Sequence, residues 1–175
     1  DSTRFSRAEL GFLIGVPLAW AVLLLLHPTG GEDYYSAVSG NVDRWLVVHV
    51  GQLILTPFLF LAVWRLLDGL SSVAARVSRA ALVVWTVWFS AYDSIQGIAT
   101  GILARRANDL AGEEQAAVGR AIDFLVDDNQ LAGNISAIAL VAGVAWLIVA
   151  IAAAVALYKA GAGTAVVVAA CLSVV

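Results

Sequence analysis

Long apolar runs constrain the fold of this chain more than any other feature of its sequence. A helix needs about 20 mostly apolar residues to cross the hydrocarbon core of a bilayer. Four runs are close to that length or longer and a fifth is shorter, and they cover about residues 10–26, 44–67, 80–104, 131–158 and 162–175. We therefore predict an all-α, polytopic membrane helical bundle with four full transmembrane helices and a truncated fifth. These helices form a single transmembrane domain over residues 1–175, and the short fifth run predicts that the chain continues.

The composition agrees with a membrane location and excludes several other classes. Hydrophobic residues make up 61% of the chain and charged residues 13%, whereas soluble domains are about half apolar and a quarter charged. The net charge is -3 and the basic residues form no dense run, so nucleic acid is not an expected partner and the lipid bilayer is. The single cysteine, Cys171, excludes an intrachain disulfide and a paired-cysteine zinc site.

The distribution of basic residues predicts the orientation, because cytoplasmic loops are enriched in lysine and arginine. With the N-terminus inside, six basic residues fall in cytoplasmic segments, namely Arg4, Arg7, Arg65, Arg76, Arg79 and Lys159. Four fall outside, namely Arg44, Arg105, Arg106 and Arg120. We therefore predict an integral protein of the plasma membrane with a cytoplasmic N-terminus.

The polar segment between the third and fourth spans has the pattern of an amphipathic helix. Apolar residues recur at helical spacing among acidic ones, at Leu110, Ala117, Val118, Ala121, Ile122 and Leu125. The acidic face does not favour binding to anionic lipid. We expect one extracytoplasmic helix that covers the mouth of the bundle.

Polar side chains inside the spans fall on two helical faces. In the second span the spacings are four, three and four residues, at Trp45, His49, Gln52 and Thr56. In the third span they are four, three, four and three residues, at Thr86, Ser90, Asp93, Gly97 and Thr100. Such spacings place each set on one helix face, and the rise of about 1.5 Å per residue places His49, Gln52, Asp93 and Gln96 in the outer half of the membrane.

Residues near the outer ends of the helices add to this convergence. His27 ends the first span, and Asn134 lies near the start of the fourth. Trp45 is expected at the depth of the interfacial aromatic belt, and Tyr34 and Tyr35 in the preceding loop also suit the interface. Four segments thus bring polar groups to one depth.

Asp93 is the strongest functional candidate, because an ionised aspartate at mid-helix costs about 2.5 to 3.5 kcal/mol to insert and intramembrane ionisable residues generally serve a function. His49 is the expected partner of its carboxyl group. Gln52, Gln96 and Asn134 have an alternative role as interhelical hydrogen-bonding groups, worth about 0.6 kcal/mol each. His27, followed by Pro28, has an alternative role as a helix-terminal residue.

The main hypothesis is a polar pocket in the extracytoplasmic half of the bundle that binds an ion, a metal or a small ligand. His49 and Asp93 form its centre and are the candidate metal ligands, and Gln52, Gln96, Asn134 and His27 complete the set of cofactor-binding candidates. The sequence does not identify the cofactor, and a divalent metal is the first candidate. One haem, bound axially by His27 and His49 in a membrane redox protein, is an alternative.

A second class of function is a non-catalytic accessory or scaffold subunit of a larger membrane complex. Gly97 and Gly101 form a GxxxG pattern, which favours close helix packing against a membrane-protein partner or a second copy of the chain. The sequence has no HExxH zinc motif, no GxSxG nucleophile motif and no P-loop. No enzyme class is therefore assigned from motifs.

Overall fold

The computed structural model describes residues 5–28, 33–127, 130–132 and 135–163. Its elements are the helices α1 (Arg7–Leu25), α2 (Tyr34–Ser39), α3 (Val42–Leu66), α4 (Val73–Tyr92), a π-helical segment (Asp93–Ala99), α5 (Thr100–Ala107), α6 (Gly112–Asp127) and α7 (Ala137–Lys159), with two short antiparallel strands, β1 (Gln130–Ala132) and β2 (Ile135–Ser136). The predicted helical architecture is thereby confirmed.

Four helices are long and apolar enough to cross a membrane, as the sequence predicted. They are Arg7–Leu25, Val42–Leu66, the continuous helix Val73–Ala107, and Ala137–Lys159. The fourth begins at Ala137 and not at the expected residue 131, because residues 130–132 and 135–136 pair as strands and the Ser136 hydroxyl accepts a bond from Ala139 N–H at the helix start. Most of the fifth apolar run, residues 164–175, lies outside the described residues.

Helix α1 lies at the edge of the bundle. Ser6 and Glu9 form a reciprocal capping box at its first turn, which satisfies backbone N–H groups that have no partner inside the helix. None of its residues is buried. Its close approach to α3 is made by Leu23, whose Cδ1 lies 2.9 Å from the position that a Cβ atom on Gly51 would take.

The two helices α4 and α7 pack together along much of their length. Small residues make the close approach possible, and the buried cluster contains Leu59, Ala81, Leu82, Trp85, Ala142, Ala145 and Val149. The Ser78 hydroxyl crosses this interface and donates to the Val149 carbonyl at 2.9 Å. Alanine-rich α7 thus serves as the packing surface for the first half of the third span.

One end of the bundle is covered by α2 and α6, and we call it the capped end. A buried apolar cluster joins these helices to α3 and α5 through Val38, Trp45, Ala104 and Ile122. The Tyr35 backbone N–H donates to Asp123 Oδ1 at 3.0 Å and fastens α2 to α6. Helix α6 therefore lies over the end at which α3 begins and α5 ends, and its side of the membrane stays a prediction.

Candidate functional site

The centre of the candidate site is a buried pair formed by His49 and Asp93. His49 Nδ1 lies 2.7 Å from Asp93 Oδ1, and the side chains are 7% and 1% exposed. Helix α3 supplies the histidine, about two turns after its start at the capped end, and the π-helical segment supplies the aspartate. The structure thus brings together the two residues that were predicted to meet.

A π-helical segment lies where the third apolar helix packs against α3. A π-helical turn holds more residues than an α-helical turn and weakens the regular backbone pattern, and side chains donate to carbonyl groups of this segment. The acceptors are backbone carbonyls. Tyr34 Oη donates to that of Gln96 at 3.0 Å, Trp45 Nε1 to that of Gly97 at 2.8 Å, and Thr100 Oγ1 to that of Ile95 at 3.1 Å. No pattern in the sequence predicted the π geometry, which these bonds stabilise.

Gly97 makes room for the His49 ring. A Cβ atom at this position would lie 2.3 Å from His49 Nδ1 and 2.5 Å from its Cγ, closer than real contacts allow. Gly101, one turn further, faces Leu46 in the same way, with 2.6 Å from a Cβ position to Leu46 Cδ2. The close approach expected of the GxxxG pattern is therefore made to α3 of the same chain, and association with a partner through these glycines stays a prediction.

Aromatic rings and a second imidazole surround His49. Its ring centroid lies 4.5 Å from that of Trp45 and 5.2 Å from that of His27, and the His27 ring is nearly perpendicular to it at 83°. Tyr34 packs against the edge of Trp45, with centroids 5.6 Å apart. His27, for which the sequence also allowed a helix-terminal role, therefore lies beside His49 of the central pair.

Three buried side-chain atoms at this site have no hydrogen-bond partner within the described part of the chain. They are His49 Nε2, Asp93 Oδ2 and Gln96 Nε2. Most buried polar atoms in folded proteins are satisfied, so unpaired ones call for an explanation such as a bound water, ion or ligand. The nearby arginines bond elsewhere, since Arg44 Nε donates to the Leu26 carbonyl and Arg105 Nη2 to Asp43 Oδ1, each at 2.5 Å.

The other predicted residues have mixed positions. Gln52 is buried on the same α3 face as His49, and its backbone carbonyl accepts a hydrogen bond from the Thr56 hydroxyl at 2.8 Å. Asn134 lies outside the described residues. Trp45 and Tyr34, expected at the interface, contribute hydrogen bonds to the site; for Trp45 the signal was its spacing of four residues from His49 on the same face.

The side chains at this site can supply only part of the coordination shell of a metal ion. Within residues 5–28, 33–127, 130–132 and 135–163, no three His, Cys, Asp or Glu side chains are grouped so as to hold a metal ion. A bound ion would need water or another ligand to complete its coordination. Haem ligation by His27 and His49 together would place the porphyrin between the two rings, and rings in edge contact at 5.2 Å leave no space for it.

Comparisons with protein-family models, with curated proteins and with solved structures found no match to this chain. Its function is therefore inferred from the geometry of its own residues.

The Trp45 hydrogen bond provides a direct test of how the site is held. We expect Trp45→Phe to lower the free energy of unfolding by about 1 kcal/mol, because it keeps most of the ring but removes the donor to the Gly97 carbonyl. Unfolding of the purified protein in mixed detergent micelles measures this change. Trp88→Phe is the matched control, since that side chain is 38% exposed on the same bundle. Equal effects of the two variants would contradict a special role for Trp45.

Proposed function

We propose that this chain is an integral membrane protein of the plasma membrane, with a cytoplasmic N-terminus, that binds a small cation at His49 and Asp93 in its extracytoplasmic half. The observation that carries this proposal is the set of unpaired buried atoms. Two of the three are acceptors when the pair carries a carboxylate and a δ-protonated imidazole, namely His49 Nε2 and Asp93 Oδ2. Such a set favours a cation or a ligand rich in hydrogen-bond donors.

The charge balance also favours a cation. A carboxylate in a membrane-spanning helix must be neutralised by a proton, a paired cationic side chain or a bound ion. Among the described residues no arginine or lysine bonds to Asp93, whose one recorded partner is His49. A proton on the pair and a metal ion at His49 Nε2 are therefore alternative ways to balance the same charge, and binding of the metal would release the proton.

The arrangement resembles the way proteins generally prepare a histidine to bind a metal. When an imidazole donates its Nδ1–H to a carboxylate, the tautomer is fixed, the ring is oriented and Nε2 is left as the ligand atom. The His49 Nδ1 to Asp93 Oδ1 distance of 2.7 Å supports this role. Asp93 then orients His49 and supplies negative charge, and Gly97 supplies the space in which the ring lies.

The proposal is tested by titrating the purified protein with Zn²⁺ or Co²⁺ in an isothermal titration calorimeter, with Mg²⁺ for comparison. We expect saturable binding of one ion of Zn²⁺ or Co²⁺ and a loss of at least about tenfold in affinity in Asp93→Asn, because the second-sphere carboxylate is lost. His49→Ala should abolish binding.

Ser90→Ala is the matched control, because Ser90 lies on the same polar stripe one turn before Asp93 and is only partly buried. It should bind as the wild type does. Absence of saturable binding in the wild type, or equal binding by wild type and His49→Ala, would refute the proposed function.

A further inference from the structure

A second imidazole beside His49 extends the proposed site. His27 Nδ1 lies 2.8 Å from the carbonyl oxygen of Pro28. A carbonyl oxygen can only accept a hydrogen bond, so His27 Nδ1 must carry the proton. In the neutral ring the lone pair is then on Nε2, the atom through which a histidine can bind a metal.

The contacts around His27 leave its Nδ1 atom engaged with an oxygen atom. The nearest cationic side chain along the chain, Arg44, bonds to the Leu26 carbonyl. The bond from Nδ1 to the Pro28 carbonyl thus leaves Nε2 as the His27 atom that can bind an ion.

The position of His27 relative to His49 is close and defined. The two rings are in edge contact with centroids 5.2 Å apart, and both pack against Trp45, at 4.8 Å and 4.5 Å. In both rings Nδ1 is bonded to an oxygen atom, of Pro28 for His27 and of Asp93 for His49. When Asp93 is ionised, both rings thus share one tautomer, in which the lone pair that can bind an ion is on Nε2.

We propose that His27 is the second ligand of the cation site, so that the ion is held by Nε2 of His27 and Nε2 of His49 and Asp93 is a positioning residue. This inference rests on the proposed function. It also identifies the class of ion, because imidazole nitrogens select Zn²⁺, Cu²⁺, Ni²⁺ or Co²⁺, whereas Mg²⁺ and Ca²⁺ prefer oxygen ligands. Water completes the coordination of an open site of this kind.

Electron paramagnetic resonance of the Cu²⁺-loaded protein tests the ligand set directly. The chain contains two histidines, so the nitrogen hyperfine pattern of tag-free protein reports on His27 and His49. We expect two imidazole nitrogens in the wild type and one in His27→Ala, with at least about a tenfold loss of affinity. In Asp93→Asn both nitrogens should remain while the affinity falls.

The outcomes separate this inference from the function on which it rests. Wild-type binding that depends on His49, with an unchanged nitrogen pattern and affinity in His27→Ala, would overturn the two-histidine site and leave the cation site standing. Absence of any His49-dependent binding would overturn both. His27→Gln is a second variant if the alanine substitution prevents folding, and it should also lose one imidazole nitrogen.

The tautomer of His27 can be measured without metal. Nitrogen-15 NMR of the histidine rings in the metal-free protein is expected to show His27 protonated at Nδ1. Protonation at Nε2 would overturn the inference, because that nitrogen would then have no lone pair for an ion.

Discussion

Gly97→Ala is expected to destabilise the protein by about 1 to 3 kcal/mol and to abolish cation binding. The added methyl group would lie 2.3 Å from His49 Nδ1, and overpacking of a close-packed interior has a cost of this size. The ring must move, and the 2.7 Å contact with Asp93 is then lost. A loss of stability would be informative, because replacing glycine by alanine in the middle of a helix otherwise stabilises a protein by up to about 1 kcal/mol.

Gly143→Ala is the control for this effect. Gly143 lies in α7, and no described atom is within 4 Å of the position that its Cβ would take. We expect it to be neutral or slightly stabilising when both variants are unfolded in mixed micelles and titrated with Zn²⁺. Equal stability of the two variants would show that the His49 ring does not occupy the space beside Gly97.

His49→Ala is expected to destabilise the protein by about 3 kcal/mol or more, and Asp93→Ala by less. Removing His49 leaves a buried aspartate without its partner, a change of the kind that costs about 3 to 5 kcal/mol. Removing Asp93 leaves His49 without one hydrogen bond, at a cost of about 1 to 3 kcal/mol. Both groups are almost completely buried.

The double variant, His49→Ala with Asp93→Ala, tests whether the two side chains are energetically coupled. Because the penalty in His49→Ala comes from the stranded carboxyl group, adding Asp93→Ala should recover stability, so that the double variant is more stable than His49→Ala alone. A double-mutant cycle of unfolding free energies measures this coupling. Additive losses in the two single variants would show that the pair is not energetically coupled, and Ser90→Ala again provides the control.

The order of the four helices that are long and apolar enough to cross a membrane could be predicted, because length and hydropathy depend on local composition. The start of the helix that contains the third span could not be predicted in this way. Helix α4 begins at Val73, before Arg76 and Arg79, and not near residue 80. Arg79 is accommodated there because its guanidinium donates to the carbonyls of Leu67, the C-cap of α3, and Leu70 in the loop that follows, and lies 5.5 Å from the Trp64 ring. Contacts with α3 and with the loop that follows it thus allow the helix of the third span to begin before residue 80.

For the site, helical spacing predicted that His49 and Asp93 face each other, because residues three or four apart share a helix face and neighbouring antiparallel helices match in depth. Spacing could not predict the π-helical segment. That geometry depends on donors from distant parts of the chain, Tyr34 and Trp45, which meet the Gln96 and Gly97 carbonyls. Spacing also could not show that side chains of α3 in the same chain fill the space beside Gly97 and Gly101.

By itself, the sequence determined that this is a chain of four helices able to cross a membrane, with a histidine and an aspartate at matching depth, since hydropathy and helical period are properties of contiguous residues. Only the tertiary structure decided that His27 lies against His49, that Trp45 bonds to the π-helical segment and that three buried polar atoms at the site have no hydrogen-bond partner among the described residues. These features arise from distances between residues far apart in the chain, and such distances are determined only when the helices pack.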